Sequence, residues 1–521
     1  MTPDDAAEQP VGVQVLAELD TILGDEQVAT ADLVRLLRRI HGRELFGQQV
    51  AADRWGEGSL HFDVAEVPDG VFDLAALTAE IEAAMAAPHA ADRSWAVVTT
   101  ARSRRHLLVE VEVPALGHVA VRPAACLLLS PSQVTATPAS LDNGLVSVGV
   151  GADGTLTVTG ADGTVLHGVG RLVDEGDRGD SYNFGPVAGA QPLDTPAAVH
   201  VEVQATGPVR GVVVVERDYD LPVGVDPGDR DLRLTATERL QTRMSVELRA
   251  GEPFVRLTVD LLNTVRDHRL RLHVPLGGGV QESFGAGQFD VTRRGRSVEG
   301  GWGEHPLPTF PATGFVSAGR AHVLLAKLTE YEVVGTPTGA ADGAANGDEL
   351  ALTLLRAVGM MSVNLHPLRD EPAGSELAVP GAQYLGVEVS TRLAVLPSDS
   401  EWERADVARW AEVFRHEALV CQGSGPSGGS LPPAVAGPVL EGPAVLTSLR
   451  RVGALGDGDG DAVEARLVSV SSTDAPVGLR PPEGRHWVAT DLAGRPTGAV
   501  LDPAPEPTML PAWGIRTLRT V

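Results

Sequence analysis

Short groups of charged residues have the types and spacing that acid–base chemistry requires. Asp267-His268-Arg269 combines a carboxylate, an imidazole and a guanidinium. The three residues lie between strand-like runs, so alternation would place Asp267 and Arg269 on one face and His268 on the other. A solvated cross-strand ion pair is therefore favoured over catalysis. Arg356 lies within the apolar run Leu352–Val358, which favours a buried structural ion pair.

The sequence offers few metal ligands and no catalytic motif. Asp457-Gly-Asp-Gly-Asp461 has the carboxylate spacing of a calcium loop. It lacks the glutamate and the flanking helices of such loops, so an acidic hairpin turn is favoured. Cys126 and Cys421 cannot by themselves form a disulfide framework or a cysteine zinc site. Nucleophile elbows, phosphate-binding loops and zinc helices are also missing from the sequence, so none of these motifs assigns a catalytic or metal-binding residue in this chain.

Composition limits the partners of the protein. With 521 residues, the chain is expected to fold as two to four domains. Its net charge of −27 argues against binding to nucleic acid or to an anionic membrane, and is compatible with a neutral ligand such as a sugar. The acidic amino terminus has no basic segment followed by an apolar run, and no apolar stretch approaches the length of a membrane span. We therefore expect a cytoplasmic protein.

The elements that must position any site are mostly strands. Helical spacing of apolar residues predicts helices over Val13–Leu23, Ala29–Ile40 and Phe72–Met85. From Trp95 to about residue 395, short runs of Val, Leu and Thr are separated by turn residues, as in β-proteins. The pairs Asp153-Gly154 and Asp162-Gly163 flank one such run and predict a meander of three strands.

These patterns predict a mostly β architecture. We expect a short helical N-terminal segment over residues 1–91 and a large multi-stranded β-sandwich over 92–400. A helix and a flexible linker follow over 401–435, and a smaller C-terminal β-sandwich covers 436–521.

Several segments, in order, resemble the C-terminal β half of family 38 glycoside hydrolases, the α-mannosidase type. Glu175-Gly-Asp-Arg-Gly-Asp-Ser-Tyr-Asn-Phe-Gly-Pro186 is the most specific of them. The other segments that carry the resemblance are Trp95-Ala-Val-Val, Val113–His118, Asp142–Val148, Asp153–Leu156, Asn263, Asp267–Arg271, Leu352–Gly359, Pro380–Gln383 and Gly514–Arg519. The resemblance implies a galactose-mutarotase-like supersandwich for the large domain.

The family chemistry is not expected within this chain. Complete members are retaining enzymes that use an aspartate nucleophile and a zinc ion, and their catalytic domain of several hundred residues precedes the β half. Here about 90 residues occupy that place, so zinc is expected only in complete members. His61-Phe-Asp63 has the spacing of the family's zinc motif and His41 is similar to its late histidine, but a chance tripeptide and a partly exposed histidine are favoured.

The same resemblance implies where a sugar would bind. Its tyrosine loop faces the catalytic cleft, which makes Asp180, Tyr182 and Asn183 the candidate substrate-binding residues; turn-capping by Asp180 and packing of Tyr182 beneath a loop are equally open. The leading hypothesis is a non-catalytic α-mannosidase-like protein that forms one wall of a mannoside site. Its partner would be a separate catalytic polypeptide or a second copy of the chain. The alternatives are a standalone carbohydrate-binding or scaffold protein, and a hydrolase that uses unrecognised carboxylates.

Overall fold

The computed structural model describes residues 134–335 and 347–420 without interruption. The other described segments are 13–19, 22–29, 49–56, 59–65, 74–86, 94–101, 104–114, 116–121, 434–435, 437–452, 462–481, 485–500 and 507–520. Strands dominate throughout, so the predicted mostly β class is confirmed.

The elements before residue 122 are strands and one helix. They are β1 (Val13–Leu19), β2 (Ile22–Ala29), β3 (Gln49–Gly56), β4 (Ser59–Ala65), α1 (Leu74–Met85), β5 (Ser94–Ala101), β6 (Arg104–Val109) and β7 (His118–Val119). β1 pairs with β6, and the order β2-β5-β4-β3 forms a four-stranded sheet. Thus β5 and β6, which the sequence assigns to the large domain beginning at residue 92, pair with strands from the first 65 residues.

The predicted N-terminal helices are correct only in part. The helix over Phe72–Met85 is confirmed as α1, but the helix over Val13–Leu23 is wrong, because β1 and the start of β2 occupy these residues. Valines at positions 13 and 15, with Ala17 and Leu19, recur at every second position, which is the period of a strand. The helix predicted over Ala29–Ile40 falls, after Ala29, outside the described residues.

A five-stranded meander follows. Its strands are β8 (Thr135–Thr137), β9 (Ser140–Asp142), β10 (Val146–Val150), β11 (Leu156–Gly160) and β12 (Val165–Val169), paired in sequence order. The three-stranded meander predicted from the Asp-Gly pairs is therefore confirmed as β10–β12. Gly154 and Gly163 have φ of 78° and 82°, the left-handed conformation that such turns require.

The large sheet contains the next twelve strands. They are β13 (Arg171–Gly176), β14 (Ala198–Ala205), β15 (Arg210–Pro222), β16 (Thr237–Arg249), β17 (Val255–Leu262), β18 (His268–Pro275), β19 (Ser283–Ala286), β20 (Val291–Arg294), β21 (Thr309–Ala318), β22 (Ala321–Gly335), β23 (Asp348–Ala357) and β24 (Glu388–Pro397). The main order is β13-β18-β23-β22-β24-β17-β16-β15-β14, and β19–β21 extend from β22.

The meander and the large sheet bury a common apolar core. Val148 and Val158 of the meander belong to the same buried cluster as Leu257 and Leu272 of the large sheet. On β18 the apolar side chains alternate with Arg269, and so this strand presents one apolar face and one charged face. Packing against the meander therefore holds the large sheet in place, including β13 and β23, whose C-terminal ends carry the candidate site.

The C-terminal part is tied to the large sheet by aromatic packing. Its elements are α2 (Val407–Arg415), β25 (Ala434–Val435), β26 (Val439–Glu441), β27 (Ala444–Val452), β28 (Ala462–Ser469), β29 (Ala475–Arg480), β30 (Trp487–Thr490), β31 (Pro496–Val500), β32 (Thr508–Leu510) and β33 (Ile515–Thr520). The Trp402 and Trp513 rings stack with centroids 6.5 Å apart and planes inclined by 18°. Glu403 accepts hydrogen bonds from the amide and hydroxyl of Ser472 at 3.0 and 2.9 Å.

The helices α1 and α2 are short. Within the part of the chain that the structure describes, no helix combines the length and the apolar character needed to cross a bilayer.

Candidate functional site

The glycine-rich segment after β13 folds into a tight loop, which we call the Tyr182 loop (residues 177–186). Arg178 donates its amide to the Gly185 carbonyl at 2.8 Å, which closes the loop on itself. Asp177 is fully buried, and its Oδ1 accepts hydrogen bonds from the amides of Gly179 and Gly185 at 2.9 and 3.0 Å. The loop therefore winds around one buried carboxylate.

Arg356 of β23 forms an ion pair with this carboxylate. Its Nε lies 2.7 Å from Asp177 Oδ2, and its Nη2 donates to the carbonyl oxygens of Asp180 and Asn183. Burial raises the pKa of Asp177, although the Arg356 charge and the loop amides act in the opposite direction. Arg356 therefore forms the predicted structural pair, in which Asp177 is fully buried and the Arg356 side chain is 18% exposed.

Asp180 is held in the same way by a second arginine. Its carboxylate is fully buried and forms an ion pair with Arg369, whose side chain is 5% exposed. The amides of Tyr182 and Val363 donate to it at 3.0 and 2.9 Å. Burial alone would raise the pKa of Asp180, but the bonds from Arg369 and from these amides hold it below its usual value. This buried carboxylate positions the loop.

Tyr182 and Asn183 form the outward side of the loop. Tyr182 is 56% exposed, and the Arg369 guanidinium carbon lies 6.0 Å from the centre of its ring. Asn183 is exposed; its Oδ1 accepts from Arg369 Nη1 at 2.8 Å and its carbonyl oxygen accepts from His366 Nε2 at 3.3 Å. Of the three predicted substrate-binding residues, two therefore face solvent and Asp180 lies beneath them.

Residues from separate segments that carry the sequence resemblance contact one another where the Tyr182 loop joins the sheet. His268 is fully buried, with Nδ1 2.7 Å from Asp174 Oδ1 and Nε2 3.1 Å from Asn263 Oδ1. Asn263 in turn donates its amide to the carbonyl oxygens of Val265 and Gln383 at 3.0 and 2.9 Å. Burial would raise the pKa of Asp174, but His268 and Arg233 lower it below its usual value.

The cross-strand ion pair predicted for this segment is present, because Arg269 of β18 pairs with Glu175 of the neighbouring strand β13, but the prediction that the pair is solvated is wrong. Arg269 is 1% exposed, pairs with Glu175 at 2.9 Å, and lies with its guanidinium carbon 3.5 Å from the centre of the Phe184 ring. Asp267 has a φ of 48° and exchanges hydrogen bonds with Gln383. Because the strand begins only at His268, Asp267 lies outside the alternation on which the prediction depended.

Gly179 is expected to be indispensable for the loop. A β-carbon there would clash with the Asn183 carbonyl oxygen and the Gly185 amide nitrogen. We expect Gly179→Ala to lower the free energy of unfolding by about 1–3 kcal/mol, since the backbone must move. Urea unfolding of this variant would be compared with Gly295→Ala, where a β-carbon meets no atom within 4 Å. Equal losses in the two variants would contradict the prediction.

The described residues do not fit the zinc site that the resemblance implies for complete family members. In the segments that the structure describes, no three His, Cys, Asp or Glu side chains lie together in a way that could hold a metal ion. His61 is half-buried in β4. His41, Cys126, Cys421 and the Asp457–Asp461 segment lie outside the described residues.

Comparison with known proteins adds to this geometry. No protein-family model matches the sequence, and no curated protein does. Among solved structures, an α-mannosidase from Enterococcus faecalis V583 matches 75% of this chain at a TM-score of 0.60 and 20% identity. A glycosyl hydrolase family 38 protein from Enterococcus faecalis matches 98% of it at a TM-score of 0.60 and 17% identity.

The chain spans about half of these two proteins, 43% of the first and 58% of the second. At this identity the similarity concerns the fold alone. The resemblance predicted from the sequence segments is confirmed at that level: the chain has a fold found in part of family 38 glycoside hydrolases.

Proposed function

We propose that this chain is an α-mannosidase-like protein whose β domains form one wall of a carbohydrate cleft. In this proposal the catalytic and zinc-binding residues belong to a polypeptide outside this chain. The observation that carries the proposal is the Tyr182 loop, which two arginine–aspartate pairs with fully buried carboxylates fix while Tyr182 stays 56% exposed. A rigid loop that presents an exposed ring is suited to recognition, because little ordering is needed on binding.

The chemistry of the outward residues suits a neutral sugar. A tyrosine ring offers an apolar face to the C–H groups of a sugar and a hydroxyl to its oxygens. Asn183 adds an exposed amide whose orientation Arg369 fixes through Oδ1, so that Nδ2 is a donor for a sugar hydroxyl. Asp180 acts as a positioning residue, since its carboxylate holds the amides of the loop.

Exposed apolar residues next to the loop support a protein partner. Met361, Leu365 and Leu377 are 39%, 89% and 52% exposed. Their segment is joined to the Tyr182 loop, because Ser181 donates its hydroxyl to the Met361 carbonyl at 2.7 Å. Exposed apolar groups around a polar loop are typical of interaction surfaces.

Calorimetry with methyl α-mannoside tests the sugar site. We expect Tyr182→Ala to weaken binding about three- to tenfold, the loss of roughly 0.5–1.5 kcal/mol of aromatic contact. Phe289→Ala removes another exposed ring, 42% accessible and outside the loop, and should change nothing. If Tyr182→Ala binds as the wild type does, the sugar-site proposal fails.

Purification from the native cell tests the partner separately. We expect the chain to co-purify with a catalytic polypeptide, and substitution of Leu365 by Asp to release it, because a charge would enter an apolar contact. A chain that is isolated alone and still binds mannosides would instead favour the standalone carbohydrate-binding protein.

A further inference from the structure

We infer that Trp302 forms a second carbohydrate subsite, which takes a neutral hexose unit of an oligosaccharide. The inference rests on the proposed function for the class of ligand, but it concerns different residues. Trp302 is 95% exposed. Tryptophan is highly buried on average because of its large apolar area, so a ring this exposed is unusual, and the backbone and the neighbours of Trp302 decide whether it can bind a ligand.

The turn that carries Trp302 is held by hydrogen bonds on both sides. The Gly303 carbonyl accepts from the Asp370 amide at 2.7 Å, and the His305 amide donates to the Leu368 carbonyl at 2.8 Å. Gly303 has a φ of 71°, a conformation that favours glycine. The ring is therefore displayed by a fixed backbone, and ordering it on binding is inexpensive in conformational entropy.

The neighbours of the ring select a neutral ligand with hydroxyl groups. Gly301 and Gly303 flank Trp302 and have no side chains that could cover its faces. Glu304 and His305 are exposed, and Asp370 is 70% exposed at its side chain, 3.7 Å from His305 Nε2. Carboxylates accept hydrogen bonds from hydroxyls but repel anions, while the face of an indole attracts the C–H groups of a sugar. Together with the net charge of −27, this disfavours an anionic ligand.

The Trp302 turn is physically connected to the Tyr182 loop. Glu304 and Arg369 form a β-bridge, and the Arg369 side chain pairs with Asp180 and Asn183. Both exposed rings are thus carried by one hydrogen-bonded group of loops. An oligosaccharide with one unit at Tyr182 could place a later unit on Trp302, whereas a monosaccharide would occupy only one ring.

The test is calorimetry of the full chain with methyl α-mannoside and with an α-linked mannotetraose. We expect Trp302→Ala to weaken tetraose binding about tenfold and monosaccharide binding less than about twofold. Trp302→Phe, which keeps a ring, should retain tetraose affinity within about threefold. Leu492→Ala, at a residue 64% exposed in the C-terminal region, serves as the surface control.

The outcomes separate this inference from the proposed function. Loss in Trp302→Ala with no effect of Tyr182→Ala would support the subsite while the Tyr182 site fails. Three results would overturn the inference. Trp302→Ala could bind the tetraose as tightly as the wild type, or Trp302→Phe could lose as much tetraose affinity as Trp302→Ala. The third is a wild-type chain whose tetraose binding does not saturate at about 10 mM ligand. Release of a protein partner by Trp302→Ala without loss of sugar affinity would overturn it as well.

Discussion

Replacement of Arg369 by methionine is expected to lower the free energy of unfolding by about 3–5 kcal/mol, because it leaves a buried carboxylate without its counter-charge. Asp180 is fully buried, and Arg369 contacts both it and Asn183. The Tyr182 loop should lose its fixed shape, so mannoside binding should weaken together with stability. Chemical denaturation and calorimetry on the same variant measure the two effects.

The matched control is Arg409→Met. Arg409 pairs with Asp406 at 3.5 Å, but both side chains are more than half exposed. Such a surface pair contributes less than about 1 kcal/mol. A second control is the double variant Asp180→Asn with Arg369→Met, which should lose less than Arg369→Met alone because no charge is left buried. If Arg369→Met costs no more than Arg409→Met, the ion pair does not hold the loop.

The second large effect is a loss of stability in acid that depends on His322. This side chain is fully buried at the start of β22, and its Nδ1 lies 2.7 Å from Ser317 Oγ. Burial lowers the pKa of His322 to about 4, although the backbone of Ser400 and the charge of Asp162 act to raise it. The unfolded chain therefore takes up this proton near pH 6.5 and the folded chain does not.

The free energy of unfolding changes with pH because the unfolded chain binds this proton at a higher pH than the folded chain does. Stability is fully present above pH 6.5 and falls as the pH decreases toward 4, by about 3 kcal/mol for this one group. Burial also lowers the pKa of His273, which adds a loss of the same sign. The free energy of unfolding, measured by denaturant titration across this range, should be flatter for His322→Gln than for the wild type. The exposed His167 provides the control, since His167→Gln should keep the wild-type slope; an unchanged slope in His322→Gln contradicts the prediction.

The sequence predicts the fold well where signals are local. The Asp-Gly turns determine the β10–β12 meander, because the conformation of each turn depends on the two residues within it. The first strand was missed because its short apolar run is compatible with two periods, and its partner β6 lies about ninety residues later. Pairing over such a distance leaves no local sequence signal.

In the candidate site, too, local features could be predicted from the sequence and contacts between distant residues could not. The glycines and aspartates of the Tyr182 loop indicate a tight loop, and the exposed position of Tyr182 agrees with a binding role that remains a proposal. Arg369 was missed, since it follows Asp180 by 189 residues and lies in an irregular segment. The burial of His268 was missed for a similar reason, because its partner Asp174 belongs to the neighbouring strand β13.

The stacked Trp402 and Trp513 have a mechanical consequence. Trp513 packs into the same aromatic cluster as Phe315 of the large sheet, and it lies two residues before the start of the last described strand, β33. A hinge at this point would have to separate two indole rings and break the Glu403–Ser472 bonds. Movement of the C-terminal sheet away from the large sheet would therefore lose both contacts, which favours a fixed arrangement over a hinge at this point.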